Sequence, residues 1–191
     1  MLFDLNPKLC EAWERYFQCY HEVMVSNTQY ECLSSGPDCV VASGNSFGMM
    51  DGGFDGVLIA KYGQGLMFDV QAAIRSRYAG MQPVGTCVMV NTGPPDYMHI
   101  AYAPTMRVPM DISGSDNVYM AMSAALVEAA RHGNISILAI PGLGTCTGRI
   151  PVEEAARQME LAYRHYLAGI PFPMTWDYAL TRNAEIANEG R

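Results

Sequence analysis

Between Lys8 and Tyr20 the apolar residues Leu9, Trp13, Tyr16, Phe17 and Tyr20 recur at helical spacing, predicting an amphipathic helix packed on a core. Val23 to Val25 reads as a short strand and Asp38 to Ser43, with Cys39 to Ala42 at its apolar centre, as a stronger one. Gly56 to Tyr62 and Leu66 to Tyr78 carry helical patterns separated by Gly63 and Gly65. Val84 to Val90 and His99 to Ala103 read as strands joined through Thr92-Gly93-Pro94-Pro95-Asp96, a turn-rich connection that predicts a hairpin. Ser115 or Asp116 can cap a helix from Asn117 to Arg131, whose residues Val118, Met122, Ala125, Leu126 and Ala129 form one apolar stripe. A strand at Ile135 to Ile140 follows, then a helix opened by Pro151 with Glu153 and Glu154 in its first turn, running to about Leu167. Thr175 to Leu180, where Trp176 and Tyr178 alternate, reads as a last strand.

Repeated strand–helix alternation predicts an α/β layer architecture with helices on both faces of the sheet, and the hairpin makes the sheet mixed. The 191 residues, half of them hydrophobic, suffice for one core, and no Ser/Pro-rich stretch or charge run divides them. The expected organisation is one domain over 1–191, with an N-terminal helix at about 8–20, a core at about 23–168 and a C-terminal segment at 169–191.

A net charge of −7, with 12 Lys and Arg scattered along the chain, excludes a nucleic-acid backbone as the main partner, because duplex binding needs a basic face. An anionic ligand must then be held by local dipoles. Residues 1–7 lack a basic and apolar leader pattern, and no run approaches the ~18 apolar residues of a membrane span, so a cytoplasmic, membrane-free protein is expected. The six cysteines at positions 10, 19, 32, 39, 87 and 146 contain no C-x-x-C pair and read as reduced thiols. The four histidines likewise show no metal-ligand spacing, and no metal or cofactor is expected.

Two glycine-punctuated loops carry the candidate chemistry. Ala42-Ser43-Gly44-Asn45-Ser46-Phe47-Gly48-Met49-Met50-Asp51-Gly52-Gly53-Phe54-Asp55 and Pro141-Gly142-Leu143-Gly144-Thr145-Cys146-Thr147-Gly148 each follow a buried strand pattern and run into a helical one. A strand, a glycine loop and a helix N-terminus bring free N–H groups and a positive helix end together, which is how backbone grips phosphate. Two such loops suit one pocket for a diphosphate with groups at both ends. Glu153 and Glu154 occupy the positive end of the later helix, so the N–H groups of Gly142 to Gly148 must carry the second wall. The loops match neither G-x-x-x-x-G-K-[ST], since Arg149 and Ile150 follow Gly148, nor G-x-G-x-x-G, since Thr147 stands at the third glycine.

In order and spacing over roughly residues 23–168, the two loops resemble those of the macrodomain family, whose members bind ADP-ribose or its derivatives. Ala42-Ser43-Gly44-Asn45 and Gly52-Gly53-Phe54-Asp55 fill the family's first-loop positions, and Gly142 to Gly148 its second loop. The resemblance implies a three-layer α/β/α fold around a mixed, mostly parallel sheet. It implies Asn45 on the distal ribose, Asp55 near the anomeric carbon, and a ligand-binding set of Glu31, Gly44, Asn45, Gly52, Gly53, Phe54, Gly142, Leu143, Gly144, Thr145, Cys146, Thr147 and Gly148. Glu31 falls where the family's adenine-contacting aspartate belongs. The chain departs from the pattern at Ala42, at Met50 and Asp51 within the glycine run, and at Cys146 and Thr147.

Plainer roles stand beside these: Asn45 as a turn residue, Asp55 as a helix N-cap, Cys146 as a small loop residue, and Trp176 and Tyr178 as core rather than adenine stackers. Arg107, in Pro104-Thr105-Met106-Arg107-Val108-Pro109, is a further phosphate candidate. Three functions remain open. An enzyme would hydrolyse a bond at the distal ribose, releasing ADP-ribose from a modified acceptor or phosphate from an ADP-ribose phosphate, with Asn45 and Asp55 catalytic. A binding module would use the same pocket without turnover, and a structural protein would reuse the fold. The expected partner is ADP-ribose or an ADP-ribosylated acceptor, with nucleic acid entering only as such an acceptor.

Overall fold

A computed structural model of the chain describes residues 1–33 and 36–188. Their elements run β1 (Leu2–Asp4), α1 (Pro7–Tyr16), β2 (Val25–Asn27), a short 3-10 turn (Tyr30–Cys32), β3 (Cys39–Ala42), α2 (Gly53–Tyr62), α3 (Gly65–Tyr78), β4 (Val88–Asn91), β5 (His99–Tyr102), α4 (Asn117–His132), β6 (Leu138–Pro141), α5 (Val152–Ala168) and α6 (Trp176–Ala187). The strands form one sheet in the order β2-β1-β6-β3-β5-β4. All neighbours are parallel except the β4–β5 hairpin, in which Val88 pairs with Tyr102 and Asn91 with His99.

The side-chain period of two divides β3 between two cores. Cys39 and Val41 enter one with Leu9 and Trp13 of α1, Met122 and Ala125 of α4, and Met159 of α5. Val40 and Ala42 enter the other with Leu58 of α2 and Val70 and Ile74 of α3. Helices therefore cover both faces of a mixed, mostly parallel sheet, and the predicted α/β/α layering holds.

Several expected elements are corrected. β1 lay outside every predicted element, yet it is the strand that joins β2 to β6. α2 begins at Gly53, three residues before the predicted Gly56, which moves Asp55 from the cap into the first helical turn. β4 starts only at Val88. The predicted strand from Thr175 to Leu180 is instead the start of α6, where the Thr175 side-chain oxygen accepts the Tyr178 N–H at 3.3 Å. The helix is held from outside by Arg157 of α5, whose guanidinium donates to the Glu185 and Ile186 carbonyls at 3.1 and 3.3 Å. Residues 189–191 of the expected C-terminal segment lie outside the described residues. Among the described residues no helix is long and apolar enough to cross a membrane.

Candidate functional site

The carboxyl ends of parallel strands are where an open α/β sheet leaves a crevice. Here β1 ends at Asp4, β3 at Ala42 and β6 at Pro141, and both glycine loops leave the sheet at that edge. Between them lies a cleft of about 630 Å³, large enough for a nucleotide-sized ligand.

The first loop runs beside the chain that leaves β5. Ala103 N–H donates to the Ala42 carbonyl at 2.9 Å, Thr105 N–H to Gly44 at 3.3 Å, and Ser46 N–H to Met106 at 3.0 Å. At the turn, Tyr102, buried at the end of β5, accepts the Asn45 N–H at 2.9 Å and donates to the Asn45 carbonyl at 2.8 Å. The Asn45 amide also closes its own loop: Nδ2 donates to the Met49 carbonyl at 2.8 Å, and Oδ1 accepts from Phe47 and Met49 N–H at 3.1 and 3.3 Å. Asn45 is thus the turn residue that one reading of the sequence anticipates, and it also lines the cleft with one Nδ2–H uncommitted.

α2 starts at the cleft. Among the described residues nothing accepts from the N–H groups of Gly53, Phe54 or Asp55, the first helical bond being Gly56 N–H to the Gly52 carbonyl at 3.1 Å. A Cβ at Gly52 would meet no atom within 4 Å, and its φ of −161° suits any residue, so no packing or backbone reason requires glycine there. Gly53 is equally open but has φ +56°, a conformation that favours glycine.

The second loop is fixed from behind. Gly142 N–H donates to Asp4 Oδ2 at 3.2 Å, Ile150 N–H to the Gly144 carbonyl at 3.0 Å, and Ile112 N–H to the Gly148 carbonyl at 3.0 Å. Cβ atoms at Gly142, Gly144 or Gly148 would overlap Asp4 and Leu9, Val118, or the Gly144 carbonyl and Ile112, so these glycines serve packing. The N–H groups of Thr145, Cys146 and Thr147 have no acceptor among the described residues. Two walls of unpaired amide donors therefore border one cleft.

Asp55 also lines this cleft, only 7% exposed, and no described residue donates a hydrogen bond to its carboxylate. Burial, with the neighbouring Asp51 carboxylate adding to it, pushes its pKa up to about 7. Gly44 is small because a Cβ there would overlap both Asp55 Oδ2 and the Tyr102 hydroxyl. That packing sets the carboxylate beside the turn held by Tyr102.

Glu31, Gly44, Asn45, Gly52, Gly53, Phe54, Gly142, Gly144, Thr145, Cys146, Thr147 and Gly148 all border the cleft. Leu143 does not: its side chain is fully buried in the core with α1, α4 and α5, which corrects its place in the expected ligand set. Asp55 sits inside α2 without capping it, correcting the N-cap reading. Arg107 is exposed and does not itself line the cleft, although Met106 and Pro109 on either side of it do. Trp176 is 81% exposed on α6, which corrects the core role expected of it. At the Glu31 end, Phe3, Tyr30 and Phe54 meet edge to face or tilted, with ring centroids 5.5–5.8 Å apart. Asp4 and Tyr102 are site residues that the sequence reading missed; both stand at strand carboxyl ends, the signal that could have found them.

A family model described as Macro domain matches residues 41–159. An uncharacterised protein of Aquifex aeolicus is 37% identical over 122 residues, 64% of this chain and 70% of that one. Among solved structures, the macrodomain of Mycobacterium tuberculosis DarG aligns with TM-score 0.61 and 22% identity, covering 75% of this chain and 91% of that one. The Trypanosoma brucei macrodomain in complex with ADP-ribose aligns with TM-score 0.54 and 16% identity, over 70% of this chain and 53% of that one.

Proposed function

The chain belongs to the Macro domain family, and from that premise we propose that its cleft binds ADP-ribose, or a close derivative, and hydrolyses a bond at the distal ribose. The observation that carries this reading is Asp55: a buried carboxylate without a hydrogen-bond donor, lining a cleft bordered by the unpaired N–H groups of α2 and the second loop. Those N–H groups suit a diphosphate that no cleft-lining cation meets among the described residues. The adenine then lies toward Glu31, Tyr30 and Phe54, and the distal ribose toward Asn45. The T. brucei complex supports the choice of ligand.

In this reading water adds to the anomeric carbon, its proton passes to ionised Asp55, and the acceptor leaves with the electrons of the broken bond. A base near neutrality, held beside a bound and oriented sugar, is suited to that step. The deciding experiment couples calorimetric binding of ADP-ribose to its release from ADP-ribosylated protein, nucleic acid and ADP-ribose 1″-phosphate. Binding with turnover of any of them is expected; no binding at millimolar ligand overturns the proposal. A non-catalytic binder is the second reading, favoured by the Asn45 amide, which is largely committed to its own loop. Binding without turnover of every substrate would select it.

A further inference from the structure

Resting on that reading of the cleft, we infer that the group joined to the distal ribose is an acceptor without negative charge, and that Asp51 sets this preference against an anomeric phosphate. The charged side chains lining the cleft are, among the described residues, Asp4, Glu31, Asp51 and Asp55, and no Lys, Arg or His joins them. The two arginines nearest in sequence to the lining, Arg149 after Gly148 and Arg107 after Met106, are exposed and do not line the cleft, and Arg149 pairs with Asp111 at 3.7 Å.

The four carboxylates are not equivalent. Asp4 is spent within the fold, accepting the Asn6 N–H at 2.8 Å and the Gly142 N–H at 3.2 Å. Glu31 follows Tyr30, whose ring packs against Phe3 and Phe54. Asp51 and Asp55 flank the start of α2, near enough for Asp51 to act electrostatically on Asp55, and Asp55 adjoins Gly44 and Tyr102 next to Asn45. Asp55 is the second observation that points to a ligand, a carboxylate more than nine-tenths buried that faces the cleft with no donor among the described residues.

The amide donors of Gly53, Phe54 and Asp55 can neutralise one diphosphate, but a further phosphate on the anomeric carbon would bring its charge up to two carboxylates with no cation between them. Like charges gathered in one cleft repel even through a partly solvated site. A neutral or cationic acceptor meets no such repulsion, and a guanidinium or an amide N–H can donate to the unpaired carboxylate.

The test is calorimetric binding of ADP-ribose and ADP-ribose 1″-phosphate to wild-type protein and to Asp51→Asn. Asp51 is exposed and its isosteric amide leaves the loop intact. The wild type is expected to bind ADP-ribose at least tenfold more tightly than the phosphate, and Asp51→Asn to narrow that ratio by fivefold or more. Any general effect of Asp51 on the diphosphate cancels in the ratio. Equal wild-type affinities, or a ratio that Asp51→Asn leaves unchanged, overturn the inference while leaving the ADP-ribose site standing. Failure to bind either ligand overturns the site itself.

Discussion

Tyr102 grips both backbone groups of Asn45, accepting its N–H at 2.9 Å and donating to its carbonyl at 2.8 Å. One phenol therefore fixes the turn at which the first loop leaves β3, and through Gly44 it also borders the Asp55 carboxylate. Burial, then the Asp55 charge, holds the hydroxyl well above the ordinary tyrosine range, so it stays a neutral donor.

Tyr102→Phe removes that hydroxyl, leaving the buried Asn45 N–H unpaired and its carbonyl with the Gly48 N–H alone, at 3.2 Å. A loss of about 1–3 kcal/mol in urea unfolding is expected, with weaker ADP-ribose binding because Asn45 and Met49 no longer hold one conformation. Unchanged unfolding midpoint and unchanged affinity together would show that the loop is fixed by its other contacts.

Two glycines of the same loop should both matter for binding but differ in stability. Gly44→Ala places a methyl into Asp55 and Tyr102, so stability and binding fall together. Gly52→Val meets no protein atom and needs no unusual backbone, so thermal stability should hold while ADP-ribose affinity drops tenfold or more. Wild-type affinity in Gly52→Val would mean that no ligand approaches this end of α2. Gly53 is the poorer probe, because its φ of +56° would confound strain with occlusion.

The layers and loops of this molecule were legible where period and punctuation repeat: β3, the α2–α3 pair, the α4 stripe, α5 and the hairpin. β1 was not, because three residues carry no period; only its pairing with both β2 and β6 reveals it. α6 was misread because Trp176 and Tyr178 alternate like a strand, and the helix buries no residue fully that could show a period of 3.6. Within the site, the loop glycines and Asp55 showed themselves, but Leu143 turns into the core, and strand register alone brings Asp4 to the cleft and buried Tyr102 under Asn45. Sequence could name the loops and could not say which way each side chain faces.

The raised Asp55 pKa fixes a pH dependence of stability. The folded chain holds this proton to about pH 7, whereas an unperturbed carboxyl releases it near 3.8. As pH rises between those values the unfolded chain ionises first, so this group subtracts stability progressively, by up to roughly 4 kcal/mol, and no further above pH 7. Asp55→Asn removes the effect. Thermal melts of the two proteins should converge near pH 4, with the variant more stable at pH 8; parallel curves would place the Asp55 carboxyl in its ordinary range.

The same titration should appear in turnover. If ionised Asp55 takes the proton of the attacking water, kcat rises about tenfold per pH unit below pH 7 and levels off above it. Asp51→Asn removes the like charge that helps to hold Asp55 up, so the midpoint should move to lower pH with the plateau retained. Asp55→Ala should cut turnover ~10²-fold or more while affinity changes less than tenfold, because the carboxylate is used chiefly in the transition state. Release of ADP-ribose from a modified acceptor, followed from pH 5 to 9 beside calorimetric binding, reads all three. A shifted midpoint in Asp51→Asn separates a titrating Asp55 from a merely structural one. An Asp55→Ala protein that keeps the wild-type rate would move the base to another residue, and an unshifted profile in Asp51→Asn would detach the limb from Asp55.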